Sequence, residues 1–220
     1  MNRTITVVLV VLVALLAGCS RLRESVITGS GKIVTREETF TGFDKLDVGY
    51  AFKVNVHQGD TFSVVIRVDD NVEKYLEVAK KGSTLQIGLK PNLSLGNRTL
   101  EAEITMPELV GLELSGGCRG PVTGFESTKA LALDLSGGSH ATLTGSAGDV
   151  TIDASGGSDV DLSDFSVMDA NVEASGGSEV TVNASGRLDA DASGGSRVYY
   201  LGSPTLGTIE ESGGSSVRRK

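Results

Sequence analysis

The sequence predicts an all-β protein: an antiparallel β N-terminal half that continues into a narrow parallel β-helix, a solenoid of about six coils. Three observations carry that prediction. Apolar residues alternate with polar ones through much of residues 46–106. A tetrapeptide of the form Ser-Gly-Gly-Ser returns six times between residues 115 and 215. The 220 residues include 29 Gly and no Trp, with only 5% aromatic side chains, so the core must be built from Val, Leu, Ile and Ala, in thin and repetitive β structure.

Composition also removes whole classes of function. With 28 Asp+Glu against 20 Lys+Arg and a net charge of −8, the chain lacks the basic face that phosphate backbones require, so no nucleic-acid partner is expected. Two cysteines are too few for a disulfide framework.

The N-terminus reads as an export signal. Arg3 precedes an apolar run from Ile5 to Ala17, which is too short to span a bilayer comfortably, and small residues follow it, as in a secretory signal peptide. Leu16, Ala17, Gly18 and Cys19 fit the bacterial lipobox. Residues 1–18 are therefore expected to be a lipoprotein signal peptide, with Cys19 as the lipid attachment point. Several acyl chains, palmitate among them, would hold the protein on the membrane through its N-terminal lipid, because one chain alone binds marginally. Ser20 stands where Asp would favour inner-membrane retention, so the expected location is the cell envelope, at the outer membrane in a Gram-negative source. Residues 19–30 read as the lipidated Cys and a tether, and folding is expected from Gly31.

Residues 31–110 read as ordinary β structure. Leu46, Val48, Tyr50, Phe52, Val54 and Val56 recur with period two, as do Phe62, Val64, Ile66 and Val68; with Gln58-Gly59-Asp60 as a turn, the two runs predict an antiparallel hairpin. Val72 to Ala79 fits either one helical turn or an irregular edge. Leu85, Ile87 and Leu89 predict a strand after the turn Lys81-Gly82-Ser83, residues 90–98 a polar loop, and Leu100 to Met106 a further strand before Pro107.

Residues 111–220 are a repeat. The motif starts at Ser115, Ser136, Ser155, Ser175, Ser193 and Ser212, spacings of 18 to 21 residues, which signals a solenoid. Parity survives each glycine pair: Leu133, Leu135, Gly137, Ser139, Ala141 and Leu143 share one face. Stacking coils ~4.8 Å apart would merge the inward rows into one core. The inward row at the bend is Cys118, Ser139, Ser158, Ser178, Ser196 and Ser215, whose hydroxyls are expected to bond to one another along the axis. Cys118 reads there as a small buried residue, with no His or second Cys beside it to make a reactive thiol.

Two residues before each Ser-Gly-Gly stand Glu113, Asp134, Asp153, Glu173, Asp191 and Glu210, acidic in all six copies. At ~4.8 Å, neighbours in such a row repel by about 1 kcal/mol even in water. Two readings stay open. Each carboxylate could accept backbone N–H bonds from its own bend and remain solvated, or the row could be a linear site for Ca²⁺ or a cationic partner. No firm metal site and no cofactor other than that Ca²⁺ is expected.

Catalytic signatures are missing from the sequence. Only His57 and His140 are available, and neither has a metal-ligand spacing. Gly29-Ser30-Gly31-Lys32 lacks the rest of a P-loop, and Gly145-Ser146-Ala147-Gly148 lacks the full nucleophile elbow. The row carboxylates are equivalent to one another, so nothing separates an acid from a base.

The order of several motifs nevertheless resembles one bacterial family. Phe43 to Leu46 leads into the alternating run Val48–Val56, followed by Gln58-Gly59, Val68-Asp69-Asp70-Asn71-Val72, Leu85-Gln86-Ile87, Met106-Pro107-Glu108-Leu109 and the Ser-Gly-Gly-Ser coils. In this the chain is similar, over roughly residues 31 to 215, to the auto-transporter adhesin head GIN domain family. That resemblance implies an all-β fold with a β-helical part in an exported envelope protein, and supplies no catalytic residues. The expected function is a non-enzymatic, adhesin-like binding or display module with an envelope, glycan or protein ligand; the alternatives are a periplasmic polysaccharide-active β-helix enzyme or a structural envelope scaffold.

Overall fold

The computed structural model describes residues 26–220. The expected signal peptide, the lipobox Leu16-Ala17-Gly18 and Cys19 lie outside the described residues.

The first strands are β1 (Ile33–Glu38), β2 (Lys45–Val48), β3 (Lys53–Gln58) and β4 (Ser63–Asp69). A single 3-10 turn at Glu73–Tyr75 leads to β5 (Leu76–Lys81), β6 (Thr84–Leu89) and β7 (Leu100–Met106). Six strand pairs follow, each joined by a Ser-Gly-Gly bend: β8 (Gly111–Leu114) with β9 (Arg119–Glu126), β10 (Leu131–Leu135) with β11 (His140–Ser146), and β12 (Val150–Ala154) with β13 (Asp159–Val167). The last three are β14 (Ala170–Ala174) with β15 (Glu179–Ala184), β16 (Arg187–Ala192) with β17 (Arg197–Gly202), and β18 (Thr205–Glu211) with β19 (Ser216–Arg219).

The strands form two sheets. One has ten strands in the order β1-β4-β7-β3-β9-β11-β13-β15-β17-β19; the other has nine, in the order β18-β16-β14-β12-β10-β8-β2-β6-β5. Each repeat coil gives one strand to each sheet, and successive coils pair in parallel, as in Leu133↔Ile152 and Ala141↔Val160. This is the expected solenoid, with five full turns between the first and last bend. The inner faces bury Leu133, Ile152, Val172, Val160 and their neighbours almost completely, and burying each such side chain contributes about 1.5–3 kcal/mol.

The bends explain the glycine pairs. Gly156 has φ +65, a left-handed conformation that costs other residues about 1–2 kcal/mol. Stacking adds a second reason, because a Cβ on Gly156 would lie 3.1 Å from the backbone nitrogen of Gly137 in the coil beneath. Gly157, at φ +81, faces open space, so conformation alone selects it.

Several details differ from expectation. The alternating run Leu46–Val56 is two strands in different sheets. β2 pairs with β8 (Val48↔Leu114) and β3 with β9 (Lys53↔Arg119), both in parallel. Gly49-Tyr50-Ala51-Phe52 is thus a coil bend, with Tyr50 (φ +66) and Ala51 (φ +62) where the next coil has Gly116 and Gly117. Alternation concealed it because parity survives a four-residue bend.

The predicted hairpin between β3 and β4 is absent. β3 pairs in parallel with β7 and β9, while β4 pairs antiparallel with β1 and β7. Alternation fixes which face a strand buries and leaves its partner open, so β7 fits between them. Both sheets therefore run through residue 110 without interruption.

Residues 72–81 resolve into the 3-10 turn and edge strand β5, which makes an antiparallel hairpin with β6 through Gly82. Hydrogen-bonded structure also begins upstream of Gly31. Ile27 exchanges backbone bonds with Ser94 and Gly96, and the Asp69 carboxylate accepts from the backbone N–H groups of Gly31 and Thr99, both at 2.7 Å.

The inward serines do not bond to one another as expected. Ser139, Ser158 and Ser178 each donate to the carbonyl three residues earlier, at 2.7–2.8 Å, and Ser196 and Ser215 also reach an Ala carbonyl of the preceding coil. The turn holds an acceptor closer than the next coil's hydroxyl. Cys118 is fully buried and donates to the Val48 carbonyl at 3.4 Å; burial pushes its thiol pKa up, the inert state expected from the sequence.

Candidate functional site

The six acidic residues fall in register on the outer face of the nine-stranded sheet. Glu113 lies beside Asp134, Asp134 beside Asp153, Asp153 beside Glu173, Glu173 beside Asp191, and Asp191 beside Glu210. The strands dictate this, since the first five residues each sit between two inward apolar side chains, as Asp153 does between Ile152 and Ala154, and Glu210 follows Ile209 in the last coil. The row extends one coil further than the sequence suggested, because Asp47 pairs with Glu113. The signal was present: Leu46-Asp47-Val48-Gly49 parallels Leu112-Glu113-Leu114-Ser115, but Tyr50-Ala51 hid the bend that would have revealed it.

Among the described residues, none of these seven carboxylates joins an ion pair. One hydrogen bond reaches the row: Gln86 on β6 donates through Nε2 to Asp47 Oδ2 at 2.6 Å. The expected bonds from each carboxylate to its own bend are not made. Neighbouring strands strip part of the water from exposed Glu113 and raise its pKa, with Asp47 and Asp134 adding to the effect. Asp134 is raised for the same reason, with a contribution from Asp153.

The flanking positions are small: Gly111, Ala132 and Thr151 border the row and floor a shallow groove of about 290 Å³ edged by Lys45, Glu113, Asp134 and Asp153. The arrangement is a straight acidic strip with an open approach. Among the described residues no three His, Cys, Asp or Glu side chains converge as a metal site. Ca²⁺ takes six to eight oxygens at about 2.3–2.6 Å, and carboxylates supplied one per strand in a line do not surround an ion.

The outer face of the ten-stranded sheet is arranged differently. Its corresponding row runs Arg67, Glu101, Lys53, Arg119, His140, Asp159, Glu179, Arg197. Opposite charges meet at Lys53–Glu101 (3.9 Å) and Arg197–Glu179 (3.9 Å), and His140 Nδ1 lies 3.0 Å from Asp159 Oδ2. His140 also lies 3.2 Å from Thr142 Oγ1. The order carboxylate, imidazole, hydroxyl is that of an acyl-transfer triad, yet His140 and Asp159 are about half exposed on an open sheet face, where water would compete for every step.

Comparison with known proteins agrees with this architecture. Residues 42–204 match the family model described as "putative auto-transporter adhesin, head GIN domain". The chain belongs to this family. No curated protein matches it. Among solved structures, "a putative adhesin" from Bacteroides fragilis NCTC 9343 is similar at 21% identity and TM-score 0.70, covering 88% of this chain and 100% of that one. Another "putative adhesin", from Parabacteroides merdae ATCC 43184, covers 88% and 98% at 16% identity and TM-score 0.54. A "putative lipid binding protein" from Parabacteroides distasonis ATCC 8503 covers 88% and 99% at 19% identity and TM-score 0.52. At these identities the likeness establishes the family's fold in this chain.

Proposed function

We propose that this protein is a lipid-anchored, non-enzymatic, adhesin-like module of the cell envelope, and that its acidic strip is the surface that meets a cationic partner. The observation that carries the reading is the contrast between the two outer faces. One pairs carboxylates with cations, as at Lys53–Glu101 and Arg197–Glu179; the other holds seven carboxylates in register that join no ion pair among the described residues. Retaining such a row is costly, and a partner that supplies the missing cations relieves the repulsion while reading the regular spacing. Family membership supports the adhesin-like role. Chemically equivalent carboxylates on a flat face support binding rather than catalysis, which needs groups with separated pKa values in a sheltered site.

Anchoring through Cys19 would leave residues 20–26 between the lipid and the hydrogen-bonded segment at Ile27, a reach of roughly 25 Å. The solenoid would then be held close to its membrane by the end that carries β1 and β5.

Two experiments test the proposal. Protease shaving of intact cells, with a tag after Lys220 and a periplasmic control left intact, should remove the tag; protection of the tag overturns surface display. Adhesion of the same cells to matrix-coated surfaces should fall to the level of a deletion strain when Asp134→Asn, Asp153→Asn and Glu173→Gln are combined. Unchanged adhesion removes the strip from the role.

A further inference from the structure

The first coil carries a feature that the acidic strip does not use. Tyr50 holds a left-handed backbone at φ +66, in the bend position that the six repeat coils fill with glycine, and such strain costs about 1–2 kcal/mol. Strained residues concentrate where a side chain must be presented to a ligand. Tyr50 is 36% exposed and its ring lies across Gly88 of β6, where an added Cβ would come within 3.4 Å of ring atoms Cδ2 and Cε2. A glycine inside a strand weakens it; here it gives the ring a bare backbone to rest on.

Beside the ring opens a cleft of about 690 Å³, within the range of small-ligand sites. Its polar lining includes Arg36, Asp47, Glu77, Lys81, Gln86 and Ser115. The Gln86–Asp47 bond at 2.6 Å fixes two planar groups and leaves Gln86 Oε1 and Asp47 Oδ1 as acceptors. The Tyr50 hydroxyl, Ser115 Oγ and the Glu77 carboxylate have no hydrogen-bond partner among the described residues. Arg36 is held by Glu38 at 2.6 Å, which fixes its guanidinium. Two acids and two bases balance the charge of the lining.

We infer that this cleft binds a neutral saccharide, with one sugar ring stacked on Tyr50 and its hydroxyls bonded to Asp47, Gln86 and Ser115. The ligand must be apolar on one face to cover the aromatic ring, polar around its edge to use fixed donors and acceptors, and uncharged to suit a balanced lining. A pyranose meets all three conditions. The inference gives the adhesin-like reading a ligand class, and it depends on neither the lipid anchor nor the cationic partner of the strip.

The test uses the full-length chain, purified in detergent, on an array of neutral gluco-, manno-, galacto- and N-acetylglucosamine oligomers, with sulfated and uronic-acid oligomers as controls. At least one neutral oligomer should bind. Tyr50→Gly should weaken that binding about tenfold, the loss of one stacking contact, and Tyr50→Phe should retain it within about threefold. Tyr50→Gly is safe for folding because glycine is the residue of every other bend, and an unchanged melting temperature confirms it. Gln86→Ala should also weaken binding. Capture of charged oligomers alone, no capture of any neutral oligomer, or full binding by Tyr50→Gly overturns the inference. Surface display is read separately by protease shaving, so its failure is distinguishable from this one.

Discussion

The first coil and the six that repeat share one backbone path and differ at almost every characteristic residue. In the repeats a Gly-Gly pair turns the bend, Ser or Cys points inward after it, and an unpaired carboxylate faces out. In the β2–β3 coil the corresponding residues are Tyr50-Ala51, Phe52 and Asp47, the last held by Gln86. The coil itself therefore requires only preserved parity and a left-handed residue at the first bend position. The glycines answer a further demand, the bend of the preceding coil lying directly beneath them. Beneath Tyr50 there is no such bend, because the chain between β6 and β7 runs through the longer loop at residues 90–99.

Exchanging the inward residues gives the largest test of this contrast. Phe52 is fully buried, so Phe52→Ala should cost about 3–5 kcal/mol, read as a shift in urea midpoint. In the narrow repeats the same position tolerates only small groups. Ser158→Ala should cost about 0.5–1.5 kcal/mol for its bond to the Ser155 carbonyl, and Cys118→Ser should fall within about 1 kcal/mol of neutral, since Ser is the residue of every other repeat at that place. A Phe52→Ala cost as small as that of Ser158→Ala would mean the first coil is no wider than the rest.

The bends come next. Gly156→Ala meets both left-handed strain and the Gly137 nitrogen, and should cost about 2–3 kcal/mol. Gly157→Ala, with open space around it, should cost about 1–2 kcal/mol. Tyr50→Gly should stay within about 1 kcal/mol of zero, because relief of strain offsets the partial burial of the ring. If Gly156→Ala and Gly157→Ala melt together, stacking adds nothing to conformation.

The same contrast shows what a sequence can reveal about this molecule. Glu113 to Glu210 were legible because Ser-Gly-Gly marks each coil and places the acid two residues before it. Asp47 was not, because its bend carries no glycine pair. The partners of β3 were likewise hidden: Val54 and Val56 declare a buried face, and nothing local declares that β7, over 40 residues later, will lie beside them instead of β4. The serine hydroxyls were placed correctly in the core, but their choice of acceptor depends on a turn geometry of tenths of an ångström. The Tyr50 cleft needs β5, β6, β2 and β1 together, so it had no sequence signature beyond an aromatic in an alternating run.

The smallest predicted effect separates Asp47 from the unpaired members of the row. The pKa values of Glu113 and Asp134 are raised in the fold, so protonation is easier folded than unfolded. Their contribution is most favourable below the ordinary carboxylate range and is lost as pH rises through it. Glu113→Gln with Asp134→Asn should therefore stabilise the protein at pH 7, by about 0.5–1 kcal/mol after allowance for solvent screening, and the gain should vanish below about pH 4. Salt should raise the melting temperature of the wild type more than that of the variant, because it screens the same repulsion. Asp47→Asn should give no such gain, since it weakens the charge-assisted bond from Gln86. Asp189 on the same sheet runs the opposite way. Arg187 holds its carboxyl down to about 2, so its contribution is present above its ordinary value and is lost as pH falls toward 2. Melting curves from pH 2 to pH 7 read both limbs at once. A variant that gains nothing at pH 7 would show that the row's repulsion is already dissipated in solvent, and with it the reason for a cationic partner.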